Sequence, residues 1–151
     1  MSALDEIKSE IKTIAESVSG IGTVYERLVY AKDQAQVKEL FVKDTAEGGP
    51  INCLMFRQVK RIADAETRNG NELLIDRTWK FVLIYGYNKE TNSEETFDNL
   101  SETLCKTFNA NPDLNGKVNE HSYFNMTNKT DNMYHNVLCH WAEFEMITAS
   151  N

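Results

Sequence analysis

The sequence predicts an α+β domain: a mainly antiparallel sheet with helices packed on one face and a long polar hairpin arm. Three observations lead there. Two segments repeat apolar residues every three or four positions, which is helical spacing, while several others alternate with the period of two that half-buried strands require. Tight-turn signals separate the middle strands, so antiparallel pairing is the economical connection.

The first helix is predicted from Leu4, Ile7, Ile11, Ile14 and Val18, which fall on one stripe while Lys8, Glu10, Lys12 and Glu16 lie off it. Ser2 can cap its start, Asp5 and Glu6 suit the positive end of its dipole, and Gly20 and Gly22 supply the stop. Val24 to Tyr30 is rich in β-branched and aromatic residues and reads as a strand. Asp33 with Gln36 then resembles a capping box ahead of Val37, Leu40 and Phe41, which implies a short helix. Gly48-Gly49-Pro50 breaks the chain before a strand from Ile51 to Val59, apolar on both faces and therefore expected to be covered on both.

Arg57 to Arg77 is markedly polar and contains Asn69-Gly70, a pair suited to the positive φ angles of a hairpin turn, so it should project as an arm. The next strand is the clearest in the chain, with Trp79, Phe81, Leu83, Tyr85 and Tyr87 on one face and Thr78, Lys80, Val82 and Ile84 on the other. Thr91 with Glu94, or Asn92 with Glu95, can cap a second long helix that carries Phe97, Leu100, Leu104 and Phe108 and ends at Asn111-Pro112. Asn115-Gly116 predicts a turn, Val118 to Asn125 a weaker strand, and Thr127 to Asn132 a polar loop. Val137 to Ile147 alternates Leu138, His140, Ala142, Phe144 and Met146 against the rest and closes the sheet.

At 151 residues the chain fits one domain, residues 1–151, with a core large enough to need no metal or disulfide staple. Its net charge of −7 opposes general binding to nucleic acid or to an anionic membrane surface. No apolar run reaches the roughly 18–20 residues of a membrane span, and the first residues lack the pattern of a signal peptide, so the expected compartment is the cytoplasm where the chain is made. Cys53, Cys105 and Cys139 are widely spaced and odd in number, which suits free buried thiols.

The sequence holds none of the common phosphate-loop, dinucleotide, zinc-protease or nucleophile-elbow motifs. His135, Cys139 and His140 form the densest reactive cluster. On a strand, however, residues four apart lie about 13 Å from one another, too far for one ion, and Cys139 and His140 point to opposite faces. Glu143 and Glu145 share a strand face, but nothing supplies a pocket to split their pKa values. No catalytic residue, cofactor or metal site is therefore expected.

The element order carries a family resemblance. The amphipathic helix, Gly22-Thr-Val-Tyr25, Pro50-Ile-Asn-Cys-Leu-Met-Phe56, a polar arm and Trp79 to Tyr87 are followed by the helix Ser93 to Phe108, Asn111-Pro-Asp-Leu-Asn-Gly-Lys-Val118 and a terminal Ala142-Glu-Phe-Glu-Met146. This layout resembles the tail terminator, or tail-completion, proteins of long-tailed bacteriophages and prophages. It departs from the small members in the insert from Asp33 to Glu47 and in the arm near Asn69-Gly70. The resemblance implies a structural protein of the virion tail, assembled in the host cytoplasm as a hexameric ring. That ring would cap the tail tube, stop its polymerisation and meet the head-completion protein, while DNA passes through without sequence-specific binding. Its expected interface residues are Arg57, Lys60, Arg61 and Arg68 on the arm and Trp79, Phe81, Tyr85 and Tyr87 on the strand, which is expected to pack both the core and part of the ring contact. Six copies of a −7 chain would carry a formal −42, a charge that opposes adhesion of DNA in a lumen. The competing expectations are another head–tail connector and, more distantly, a small ligand-binding or cyclase-like enzyme with His121, Tyr123 and His140 lining its pocket.

Overall fold

Helix α1 runs from Ala3 to Glu16, and the stripe read from its spacing buries Ile7, Ile11 and Ile14. Ser2 caps it, its Oγ accepting the Asp5 N–H at 3.1 Å, and the Ser2 hydroxyl in turn donates to the Asp5 carboxylate and holds that carboxyl below its usual range. The structure is a computed structural model and describes residues 2–29, 51–64, 74–88, 90–134 and 137–150. The capping-box helix expected after Asp33, the insert to Glu47, Asn69-Gly70, Arg68 and His135 lie outside the described residues.

Among the described residues six strands form one mixed sheet: β1 (Thr23–Tyr25), β2 (Asn52–Asp64), β3 (Leu74–Gly86), β4 (Glu120–His121), β5 (Asn125–Tyr134) and β6 (Val137–Ser150). Their spatial order is β1-β2-β3-β6, with β4 and β5 sharing the outer edge of β6. Only β1 runs parallel to its neighbour, β2, and every other pairing is antiparallel. Helix α2 (Ser93–Asn109) is capped by Asn92, whose Oδ1 accepts the Glu95 N–H at 3.1 Å while its Nδ2 donates to the Glu95 carboxylate at 2.9 Å. This selects the second of the two capping pairs compatible with the sequence.

The two helices among the described residues cover one face of the sheet. There the register aligns Phe56, Phe81 and Phe144 in one row and Leu54, Leu83 and Ala142 in the next. Phe108 of α2 and Phe124 close over them, with ring centroids 4.6 Å apart, and Phe124 meets Phe81 edge-on at 4.8 Å. A second, smaller cluster lies on the opposite face, where Ile51, Cys53, Met55, Ile84 and Cys139 are buried beside Leu28, Val82 and Trp141. β2 is thus apolar on both sides because both are covered at this end of the sheet.

Three expectations change. Pairing in the first strand stops at Tyr25, because Leu28 and Val29 turn across the helix-free face and join the second cluster. Of the stretch Val118 to Asn125, only Glu120 and His121 form β4, while Asn109 clamps Phe124 between them and β5, its Oδ1 accepting the Phe124 N–H at 2.8 Å and its Nδ2 donating to the Phe124 carbonyl at 3.1 Å. The segment Thr127 to Asn132 is strand, not loop. Its polarity is that of an edge strand with exposed side chains. The backbone ladder to β6 holds it regardless, and Lys129 ties it to Glu94 and Asp98 of α2 at 3.0 and 2.8 Å. The turn before β4 is tighter than Asn115-Gly116 alone implies, for Leu114, Asn115 and Gly116 all have positive φ (48°, 54° and 85°).

Candidate functional site

Alternation on β3 puts Trp79, Phe81 and Leu83 under the helices, leaving Thr78, Lys80 and Val82 to the other face. On that helix-free face a groove of about 350 Å³ opens beside the second cluster, lined by Leu28, Met55, Val59, Val82, Tyr134 and Trp141, with Arg57, Lys80 and Glu143 also in its wall. From the groove β2 and β3 continue as a ribbon to Asp64 and Leu74, with β6 paired along β3 as far as Ile75, beyond the helices' main contacts. Val59 and Ile62 of β2 are 41% and 48% exposed along it, and Ile147 of β6, opposite Thr78, is 38% exposed on the same face. A register shift between Gln58 and Lys60 turns Val59 toward the groove.

The interface residues expected from sequence divide. Arg57, Lys60 and Arg61 are exposed on the ribbon, and Tyr87 is 49% exposed at the far end of β3. Trp79 and Phe81 do not belong to a surface: both are 0% exposed. Trp79 even has its indole N–H satisfied within the fold by Thr148 Oγ1 at 3.0 Å. Tyr85 is partly buried against the core. Lys80 joins Arg57 on the helix-free face, where Glu145 stands across from it, whereas Arg77 is buried on the face of Trp79.

His121, Tyr123 and His140 do not converge. Tyr123 is 72% exposed, and the His121 Nε2 lies 2.8 and 2.9 Å from the Phe108 and Asn111 carbonyls at the end of α2. His140 is buried, with its ring stacked on Phe97 at 5.5 Å, and it joins a constellation the sequence does not reveal. Its Nε2 lies 2.9 Å from Ser93 Oγ and its Nδ1 2.8 Å from Asp131 Oδ1, the order of groups in a nucleophilic relay. With the ring proton on Nδ1, facing the carboxylate, Nε2 accepts the Ser93 hydroxyl. The geometry works as a clasp. Ser93 is 3% exposed at the floor of an open recess walled by Tyr87, Asn88, Thr91 and Asn92; its Oγ accepts the Asn88 N–H at 3.0 Å, and its own N–H is bonded to the Thr91 carbonyl, so the hydroxyl is held by bonds on both sides. The clasp fastens the start of α2 to β5 and β6.

No protein-family model and no curated protein matches this chain.

Among the described residues no three His, Cys, Asp or Glu side chains are placed to hold a metal ion. Glu143 and Glu145 share the helix-free face; Glu143 accepts the Asn128 amide at 3.2 Å, and Glu145 stands across from Lys80. The cysteines are free thiols, and burial pushes Cys53 and Cys139 up to about 12 and Cys105 up to about 11. Few thiolates then exist near neutrality. Treatment with iodoacetamide at pH 8 will leave Cys53 and Cys139 unmodified in the folded protein and modify both after denaturation, as read by mass spectrometry. The linkage has a definite sign: the unfolded chain loses these protons near the ordinary value of 9.0 and the native chain only near 12, so stability falls with rising pH across that window.

Proposed function

We propose that this protein is a phage tail terminator, which closes as a ring on the end of the tail tube, ends tube polymerisation and presents the surface that the head-completion protein joins. The carrying observation is the ribbon. Val59, Ile62 and Ile147 are exposed next to an apolar groove on the face the helices leave uncovered. A neighbouring subunit would bury these side chains, and burial of apolar area is the main drive for stable assembly. The described order of helix, two strands, the long strand β3, helix and closing strands supports the resemblance to terminators. Acidity supports the reading as well, since a lumen of repeated negative charge lets DNA slide without adhering.

The test is negative-stain microscopy and light scattering of the purified protein, alone and mixed with tail-tube protein. Six-fold rings, free or seated on tube ends, are expected. Compact monomer in both samples at tens of micromolar would overturn the proposal. Rings that select a portal-side partner and ignore tube would identify a different head–tail connector.

A further inference from the structure

The first turn of α2 leaves one donor over. The Ser93 N–H is bonded to the Thr91 carbonyl, the Glu95 N–H to Asn92 Oδ1 and the Thr96 N–H to the Asn92 carbonyl. The Glu94 N–H, between them, has no acceptor among the described residues. Such groups carry the positive end of the helix dipole and favour an anion in front of them. Glu94 and Ser93 line the same open recess of about 440 Å³, whose wall also includes Tyr87, Asn88 and Glu90.

The hydroxyl beside that donor has a base to take its proton. Ser93 Oγ lies 2.9 Å from His140 Nε2, and Asp131 Oδ1, 2.8 Å from Nδ1, keeps the ring proton on the other nitrogen. The imidazole is held in place, for Phe97 stacks on it at 5.5 Å and Tyr87 meets it edge-on at 5.7 Å. The Asn88 N–H, 3.0 Å from Ser93 Oγ, stabilises negative charge on that oxygen as the proton leaves. Fastening α2 to the sheet requires the chain of Ser93, His140 and Asp131, but neither the recess nor the unpaired donor. A nucleophile, its base, the group that orients the base and an oxyanion donor thus meet at one opening.

We propose that Ser93 is a nucleophile for acyl transfer from small, uncharged esters, an activity separate from ring formation. Ser93 Oγ attacks the ester carbonyl carbon and passes its proton to His140 Nε2, while the carbonyl oxygen takes up negative charge facing the Glu94 N–H. Collapse of this adduct breaks the bond to the alcohol oxygen, which leaves with the proton from Nε2. Water then attacks the acyl-Ser93 carbonyl and gives a proton to Nε2, which returns it to Ser93 Oγ; the sum is ester and water to acid and alcohol. Asp131 touches no substrate and is a positioning residue. The wall selects the substrate class. Glu90 repels anions, and Lys129 is already held by Glu94 and Asp98. Tyr87 is the one large ring among the described wall residues, so a short acyl group is covered and a long chain is not.

Diisopropyl fluorophosphate and p-nitrophenyl acetate are the probes. With the first, Ser93 Oγ displaces fluoride from phosphorus, and mass spectrometry of the digested protein should place the diisopropylphosphoryl group on Ser93 in native protein and not in protein unfolded in urea. Hydrolysis of p-nitrophenyl acetate should fall at least about 100-fold in Ser93→Ala, the scale of a lost acid–base relay. Asp131→Asn changes a side chain that is 59% exposed; it should keep the wild-type unfolding midpoint and KM and lose at least about tenfold in kcat. Native wild type left unlabelled at millimolar probe, label only on other residues, or a Ser93→Ala rate equal to wild type would overturn the proposal. An Asp131→Asn protein with raised KM and unchanged kcat would reduce the three residues to a fastening and overturn it too. The labelling result depends on no variant folding. It is read on monomer and ring alike, so the ring reading stands or falls separately.

Discussion

Phe81→Ala will lower the unfolding free energy by about 3–5 kcal/mol, the range for removing a large aromatic from a packed core. Phe81 is 0% exposed at the middle of β3, and its ring packs on Phe56 at 5.4 Å, on Phe108 at 5.6 Å and on Phe124 at 4.8 Å. These neighbours come from β2, α2 and the segment ahead of β5, so the cavity left by alanine is walled by three elements that cannot all close on it. Since domains of this kind are held by about 5–15 kcal/mol in total, the variant should unfold at a far lower urea midpoint. Tyr87→Ala is the control: that side chain is half exposed, and its loss should cost much less. The pair also separates core from interface. If Phe81 served mainly as a subunit contact, its replacement would weaken assembly and leave the monomer's denaturation midpoint near wild type.

Why the sequence leaves Phe81 shared between the core and a subunit contact lies in β3 itself. Trp79, Phe81 and Leu83 alternate with Val82 and Ile84, so both faces are apolar and periodicity alone does not say which one the helices cover. That choice is made by α1 and α2, whose stripes were plain in sequence and whose partners were not. Strand β5 failed for the opposite reason: Asn125 to Asn132 has almost no apolar residue, and its strand character comes from the backbone of β6. The candidate surface divides similarly. Arg57, Lys60 and Arg61 announced a polar arm, but their opposition to Lys80 and Arg77 depends on the register past the shift between Gln58 and Lys60. Ser93, Asp131 and His140 come from three elements, so no spacing could have placed them together.

Gly22→Ala should be nearly as costly as the core change, at about 3 kcal/mol, the upper part of the range for overpacking. A Cβ at Gly22 would lie 1.8 Å from the Asn52 carbonyl oxygen and 2.5 Å from its carbon. Backbone atoms at the start of β2 cannot swing aside as the end of a flexible side chain could. The same approach is held from the other side, because Asn52 Oδ1 accepts the Gly22 N–H at 3.0 Å and Asn52 Nδ2 donates to the Gly20 carbonyl at 2.9 Å. Adding one methyl must therefore push the chain off Asn52 and break both bonds together. The damage should be local first: among the described strands β1 pairs with β2 alone, through Thr23, Val24 and Tyr25, whereas β3 and β6 are held along their whole length. Hydrogen exchange should accelerate at Val24 and Tyr25 well before the amides of β3 respond. Asn52→Ala should show the same local pattern at lower cost, and the double variant should fall short of the sum, because both changes break the same two contacts. Additive costs, or a Gly22→Ala protein within about 0.5 kcal/mol of wild type, would mean that β1 does not depend on this close approach. The consequence reaches the proposed interface, because Leu28, a few residues beyond β1, forms part of the groove wall beside the ribbon. A variant that loosens β1 should therefore also weaken ring assembly, with the charges of the ribbon unchanged.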